Sequence, residues 1–158
     1  MNYPLQSMLK IRLMREDRAG TALTSARRAR KQAADELEAR RRARADYLTT
    51  KEERRDRIYD QVMGKPVKLD ALDDVRTAVT RIDEEGVLLE RAEQEAEDAL
   101  EKKERAAESA RIAFVGASRN RMKIEEHRKV WTEEMRIEEE RAADAEMEEF
   151  MGKKGDER

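Results

Sequence analysis

A single proline interrupts an otherwise proline-free stretch of this chain. From Leu5 to Phe150 the sequence contains only Pro66, which lies in the segment GKPV at 64–67. Gly64 suits the left-handed residue that closes a helix, and Pro66 cannot continue one because it lacks a backbone N–H. The sequence therefore predicts a helix over about 5–63, a bend over 64–69, a second helix over about 70–150 and a disordered tail over 151–158.

Alanine recurs on the first predicted helix at the spacing of a coiled-coil seam. Residues 19–33 read AGTALTSARRARKQA, in which the alanines at 19, 22, 26, 29 and 33 alternate spacings of three and four. The second helix repeats this 3-4 spacing at thirteen positions: Leu89, Ala92, Ala96, Ala99, Lys103, Ala106, Ala110, Ala113, Ala117, Asn120, Ile124, His127 and Trp131. Alanine is also a good helix former, which explains its abundance but not the matched spacing on both helices.

Folding the chain back at Pro66 brings the two alanine runs together. Pairing residues whose numbers add to 132 places four pairs opposite each other, to within one heptad: Ala19 with Ala113, Ala22 with Ala110, Ala26 with Ala106, and Ala33 with Ala99. Methyl-sized side chains let antiparallel helices approach closely. The predicted fold class is all-α: one elongated domain over 1–158, a long antiparallel two-helix coiled-coil hairpin with an alanine-rich seam and a longer C-terminal helix.

The composition supports long helices rather than a globular core. Charged residues make up 46% of the chain and aromatic residues 4%, too few large apolar side chains to fill a core. Residues 1–66 carry 17 Lys and Arg against 10 Asp and Glu, whereas residues 67–158 carry 18 against 27. A basic and an acidic helix favour each other as neighbours, although each exposed ion pair contributes little.

No catalytic, cofactor-binding or metal-binding residue is predicted, and an enzyme is not expected. The chain has no cysteine, one histidine (His127) and no glycine-rich phosphate loop, and its carboxylates lie on helical faces without a predicted pocket. The basic stretches ARRARK at 26–31 and ARRRARADY at 39–47 could track phosphates, but acidic residues lie between them. Pairing with the acidic helix is the favoured interpretation, so nucleic-acid binding is not expected.

Two regions of the predicted hairpin are candidates for partner binding. The segment after Trp131 extends past the N-terminus and carries nine acidic residues against two arginines between Glu133 and Glu149. Large apolar residues concentrate towards the bend, more than two helices can easily bury. The N-terminus has neither a signal peptide nor a membrane span, so a cytosolic protein without membrane insertion is expected.

Three segments resemble a known family in order and spacing: YPLQSMLKIRLMREDRA near the start, YDQVMGKPVKLDALDDVR at the bend, and HRKVWTEE late in the chain. They are similar to the YscO-like proteins of bacterial type III secretion and, more distantly, to their flagellar relative FliJ. The resemblance implies a cytoplasmic stalk at the base of the secretion apparatus. Its implied partners are the hexameric secretion ATPase, the cytoplasmic domain of the export gate and secretion chaperones.

The resemblance assigns these roles to regions of the chain. The terminal end, expected to face the ATPase, comprises Leu5, Leu9, Trp131 and Met135. The tip near the bend, expected to bind another partner, comprises Tyr47, Leu48, Tyr59, Val62 and Met63.

The favoured hypothesis is a non-enzymatic stalk or coupling component of type III secretion, an elongated monomer of 18.5 kDa when isolated. The alternative is a generic coiled-coil scaffold or adaptor that oligomerises through intermolecular helices. A third interpretation, an RNA-binding basic helix, predicts strongly salt-dependent affinity for any nucleic acid.

Overall fold

Two long helices account for most of the chain. The computed structural model describes residues 3–155, with side chains over residues 3–151. Helix α1 spans Gln6–Asp60 and helix α2 spans Leu69–Gly155, and the described residues contain no strand. The predicted fold class, an all-α two-helix hairpin with a longer C-terminal helix, is confirmed.

The bend forms where the glycine and proline predict it. The amides of Val62 and Met63 donate to the carbonyl of Tyr59 at 3.0 and 2.9 Å, which tightens the end of α1. Gly64 then adopts a φ of 70°, a left-handed conformation that costs other residues about 1–2 kcal/mol. Helix α1 ends at Asp60, three residues before the predicted boundary, because this tight turn begins before the glycine.

The prediction of a disordered tail from residue 151 is wrong for its first five residues. Helix α2 continues to Gly155, and residues 156–158 lie outside the described part of the chain. No proline follows Phe150, and an isolated glycine weakens a helix by only about 1 kcal/mol without ending it.

The chain divides into two compact units, and α1 and α2 contribute to both. Unit 1 comprises Met1–Leu23 and Ala110–Arg158, and unit 2 comprises Thr24–Ser109. On α1 the buried leucines are Leu9, Leu23 and Leu37, which are spaced by two heptads. On α2 the buried positions are Ile82, Ala96 and Ala107. These buried side chains on the two helices therefore follow the spacing of a coiled coil.

The predicted alanine seam is displaced by one residue at half of its positions. Ala19, Ala26, Ala33 and Ala110 are half-buried, whereas Ala22, Ala99, Ala106 and Ala113 are exposed. The neighbours that take the inner places are Leu23, Leu100, Ala107 and Phe114. Each buried methylene contributes about 0.8 kcal/mol. Burying Leu23, Leu100 or Phe114 therefore stabilises the helix pair more than burying the adjacent alanine would.

The pairing of the helices lies close to the predicted register. In unit 1, Gly20 faces Phe114, and a Cβ added to Gly20 would lie 3.4 Å from Cε2 of that ring. The sequence pairing places residue 112 there, so the observed register differs by two residues and stays within the heptad. Glycine at residue 20 leaves room for the phenylalanine ring.

Candidate partner-binding surfaces

The paired part of unit 1 ends in an aromatic cluster around Tyr3. The Tyr3 hydroxyl lies 2.8 Å from Nδ1 of His127, within hydrogen-bonding distance. The ring of Tyr3 also contacts the ring of Trp131, with 5.5 Å between centroids and a tilt of 58°. Tyr3 is buried although it precedes α1, so it covers the end of the contact between the two helices.

The 3-4 repeat predicts neither the burial of Tyr3 nor the exposure of His127. The repeat predicts His127 at a seam position, but His127 is exposed and lies within hydrogen-bonding distance of Tyr3. No periodic signal points to Tyr3 because it lies outside the helix. The one signal in the sequence is the single tryptophan, Trp131, on the facing part of α2, since aromatic side chains tend to pack in pairs.

The predicted terminal-end residues differ in their accessibility. Leu9 is buried at 3% exposure, so it packs between the helices and does not present its side chain to a partner. Leu5, Trp131 and Met135 are half-buried. The role of these residues in contacting an ATPase stays a prediction.

Beyond this cluster, α2 continues past the start of α1. Every side chain from Arg136 to Met151, here called the distal segment, is exposed. It includes large apolar residues: Met147 and Met151 are 65% and 72% exposed. Arg136 forms ion pairs with Glu133 and Glu140, and the hydrogen bond from Arg136 lowers the pKa of Glu133. The distal segment is therefore an exposed stretch of α2 in which Met147 and Met151 can contact a partner.

An ion pair crosses between the helices of unit 1. Nε of Arg121 lies 2.5 Å from Oε2 of Glu16, and its Nη1 donates to Glu125. The hydrogen bond to Glu125 and the nearby negative charge of Glu16 raise the pKa of Arg121. The 3-4 repeat predicts Asn120 at this seam position, but Asn120 is exposed and Arg121 is the half-buried residue. The opposite charges of Glu16 and Arg121 on facing helices were the signal that could have identified this pair.

The residues predicted for the tip fall into two groups in unit 2. Tyr59 lies in the last turn of α1, Val62 and Met63 lie in the turn that follows it, and Met63 is 70% exposed. Val67, Leu69 and Leu72 add further exposed apolar side chains on the other side of the bend. This exposed group around the bend, residues 59–72, is here called the bend surface.

Tyr47 does not belong to the bend surface. It is buried, its hydroxyl donates to the carbonyl of Ile82, and its ring lies against Gly86. A Cβ added to Gly86 would lie only 2.8 Å from the Tyr47 hydroxyl oxygen. Gly86 therefore marks a close approach between the helices. Leu48, the neighbouring residue, is exposed but lies more than three helical turns before the end of α1.

Ion pairs connect the basic face of α1 to the acidic face of α2 in unit 2. The four shortest of the pairs described there have N to O distances of 2.7–3.1 Å: Arg41 with Glu97, Arg44 with Glu93, Lys51 with Asp83, and Arg54 with Glu85. The hydrogen bond to Glu93 raises the pKa of Arg44. The second basic stretch of the sequence thus bonds the neighbouring helix. Within residues 3–155 no group of acidic or histidine side chains is arranged to hold a metal ion.

The family model for the type III secretion protein YscO matches residues 5–153. The chain belongs to the YscO family. The resemblance seen in the sequence is thereby confirmed, and the family is one of type III secretion components.

A solved structure has the same fold as this YscO-family chain. It is described as that of a YscO homologue, CT670 of Chlamydia trachomatis, and it superposes with a TM-score of 0.74 at 19% sequence identity. The match covers 95% of this chain and 92% of that one. Among curated proteins, none matches the chain. Neither helix, over the residues described, combines the length and apolar character needed to cross a membrane.

Proposed function

We propose that this YscO-family protein is a non-enzymatic stalk or coupling component of a type III secretion system. It acts in the cytoplasm at the base of the apparatus, where it links the hexameric secretion ATPase to the export gate and escorts secretion chaperones. The rod would bias conformational change between ATPase subunits and would carry out no covalent chemistry itself.

One observation carries the proposal beyond the family assignment. The distal segment of α2 extends past the Tyr3 cluster with all its side chains exposed, although a lone helix of this length is marginal in water. Such a helix gains stability when a partner receives it. The ATPase is the partner that the family assignment favours for this end of the chain.

The bend surface supports a second contact. Its side chains Met63, Leu69 and Leu72 are 70%, 74% and 46% exposed and lie within ten residues of one another. Clustered exposed apolar side chains are typical of protein interaction sites. The export gate domain and the chaperones are the partners proposed for this surface.

The test uses the full-length protein with the ATPase and the gate domain of the same secretion system. We expect the wild-type chain to increase ATPase oligomerisation or turnover and to bind the gate domain. Met63→Asp with Leu69→Asp should weaken gate binding and leave the effect on the ATPase unchanged. The matched control is Val87→Asp with Leu88→Asp, which places two acids on exposed apolar positions of α2 away from the bend.

Two results would contradict the proposal. No effect on the ATPase together with no gate binding would remove the coupling role. A stable dimer in sedimentation, with neither partner bound, would favour the scaffold alternative over the 18.5 kDa monomer.

A further inference from the structure

Two cations of unit 2 occupy positions where the coiled-coil repeat places apolar side chains. Arg30 lies seven residues before the buried Leu37, and Lys103 lies seven residues after the buried Ala96. A spacing of seven returns to the same face of a coiled-coil helix, so both cations lie on the inner rows of their helices. Both side chains are nevertheless exposed, because their long aliphatic stems carry the charged groups out to solvent.

The register of unit 2 places these two cations opposite each other. The ring of Tyr47 lies against Gly86. Arg30 lies seventeen residues before Tyr47, and Lys103 lies seventeen residues after Gly86, so the two are equally far along the antiparallel helices. Like charges on facing helices repel, so this layer destabilises the helix pair unless an anion lies against it.

The surrounding charges add to this layer. Residues 26–33 of α1 carry four cations and no acid, and the facing residues 100–107 of α2 carry three cations and two acids, which gives a net charge of +5. Arg105 forms an ion pair with Glu101 on α2 itself. Among residues 3–151, no acidic side chain lies within ion-pairing distance of the remaining six cations, here called the basic cluster: Arg27, Arg28, Arg30, Lys31, Lys102 and Lys103.

Another part of unit 2 shows what balanced charge looks like on the same two helices. Residues 40–54 of α1 have a net charge of +3, and the facing residues 79–93 have a net charge of −3. Ion pairs connect the helices there, such as those of Arg44 with Glu93 and Arg54 with Glu85. The positive charge of the basic cluster has no such counterpart on the facing helix.

The basic cluster is also short, which restricts what can bind it. Eight residues of an α-helix span about 12 Å. Acidic residues follow on both helices at the same end, namely Asp35 and Glu36 on α1 and Glu97 and Asp98 on α2. A nucleic-acid strand is bound along a groove several nucleotides long, whereas a compact anion with several charges fits a patch of this size. Arginine and lysine both form charge-assisted hydrogen bonds with phosphate oxygens.

We infer that the basic cluster binds a short chain of phosphate groups, with Arg30 contacting it from α1 and Lys103 from α2. The chain can be the triphosphate of a nucleotide or a free polyphosphate, since both present the same oxygens. A bound chain neutralises the repulsion between the two cations and holds the helices together at this layer, so it stabilises unit 2. This binding does not depend on the proposed contacts with the ATPase or the gate.

The test uses the isolated full-length chain with sodium tripolyphosphate or with ATP free of Mg²⁺ as the probe. Thermal unfolding followed by circular dichroism should give a Tm that is about 5–10 °C higher at a probe concentration about one hundred times its Kd. Sodium chloride of the same ionic strength should give a smaller shift. Isothermal titration calorimetry measures the Kd of each probe.

Substitutions locate the site. Arg30→Gln with Lys103→Gln should raise the Kd for tripolyphosphate at least about tenfold, because two charge-assisted contacts are lost. The exchange Arg30→Lys with Lys103→Arg keeps both charges and should leave the Kd within about threefold. Arg81→Gln with Arg91→Gln is the matched control, since it removes two exposed cations of unit 2 outside the basic cluster and should leave the Kd unchanged.

The results separate phosphate binding from its alternatives. Binding of both probes that requires Arg30 and Lys103 would support the inference, and the probe with the lower Kd would identify the source of the phosphates. The inference is overturned if neither probe raises the Tm more than sodium chloride does, or if the Gln substitutions leave the Kd unchanged. Binding of ATP without binding of tripolyphosphate would also overturn it. Tighter binding of a glutamate oligopeptide or a single-stranded RNA would assign the basic cluster to an acidic protein or a nucleic acid instead.

Discussion

The contact between Tyr47 and Gly86 makes the sharpest prediction about stability. In Gly86→Ala the new Cβ would lie 2.8 Å from Oη, 3.0 Å from Cε1 and 3.1 Å from Cζ of Tyr47. These atoms belong to a buried ring whose hydroxyl bonds the Ile82 carbonyl, so the ring cannot move away without losing that bond. The substitution therefore overpacks the helix pair.

The expected magnitude follows from two opposing effects. Replacing glycine by alanine inside a helix stabilises it by about 1 kcal/mol, whereas overpacking typically costs about 1–3 kcal/mol. The net change for Gly86→Ala is a destabilisation of up to about 2 kcal/mol. Gly116 provides the control, because it lies inside α2 with nothing within 4 Å of an added Cβ. Gly116→Ala should therefore raise stability by about 1 kcal/mol.

The assay is urea and thermal unfolding followed by circular dichroism at 222 nm. In a Tyr47→Leu background the clash is removed, so Gly86→Ala should become stabilising, as it is at residue 116. The reasoning is refuted if Gly86→Ala stabilises the wild-type chain as much as Gly116→Ala does, since the close approach of the Tyr47 ring would then not exist.

Three further predictions concern the seam, the aromatic cluster around Tyr3, and the ion pair between Glu133 and Arg136. Leu23→Ala should destabilise unit 1 by about 2 kcal/mol, whereas Ala22→Ser should change stability by less than about 0.5 kcal/mol; equal effects in unfolding experiments would restore Ala22 to the seam. Tyr3→Ala should shift the fluorescence of Trp131, the only tryptophan, to longer wavelength by exposing it, while Tyr59→Ala at the bend should not. Arg136 lowers the pKa of Glu133, so the stabilising contribution of this pair is present above the ordinary glutamate pKa of about 4.3 and is lost as the pH falls through the lowered value. Carboxyl NMR titration of the wild-type chain should give Glu133 a pKa below that of an ordinary glutamate, and Arg136→Gln should raise this pKa. The same pKa in both proteins would show that the pair does not form.

The sequence by itself determined the elements and their connection. The chain from Leu5 to Phe150 has one proline and is rich in residues that favour helices. Its apolar side chains repeat every 3.5 residues on average, which is typical of long helices that pair in a coiled coil. The glycine before Pro66 determined where the chain turns, because left-handed backbone is inexpensive only for glycine. The ion pairs of unit 2 followed from the opposite net charges of the two halves.

Only the tertiary structure decided which of two neighbouring positions faces inward. Ala22 and Leu23, or Ala113 and Phe114, both continue a 3-4 repeat, so periodicity does not distinguish them. The choice depends on the area that each side chain buries against the other helix, and that is a property of the pair. Contacts between residues far apart in the sequence were undetermined for the same reason. The burial of Tyr47 over Gly86 and of Tyr3 against Trp131 exists only once the two helices are in register.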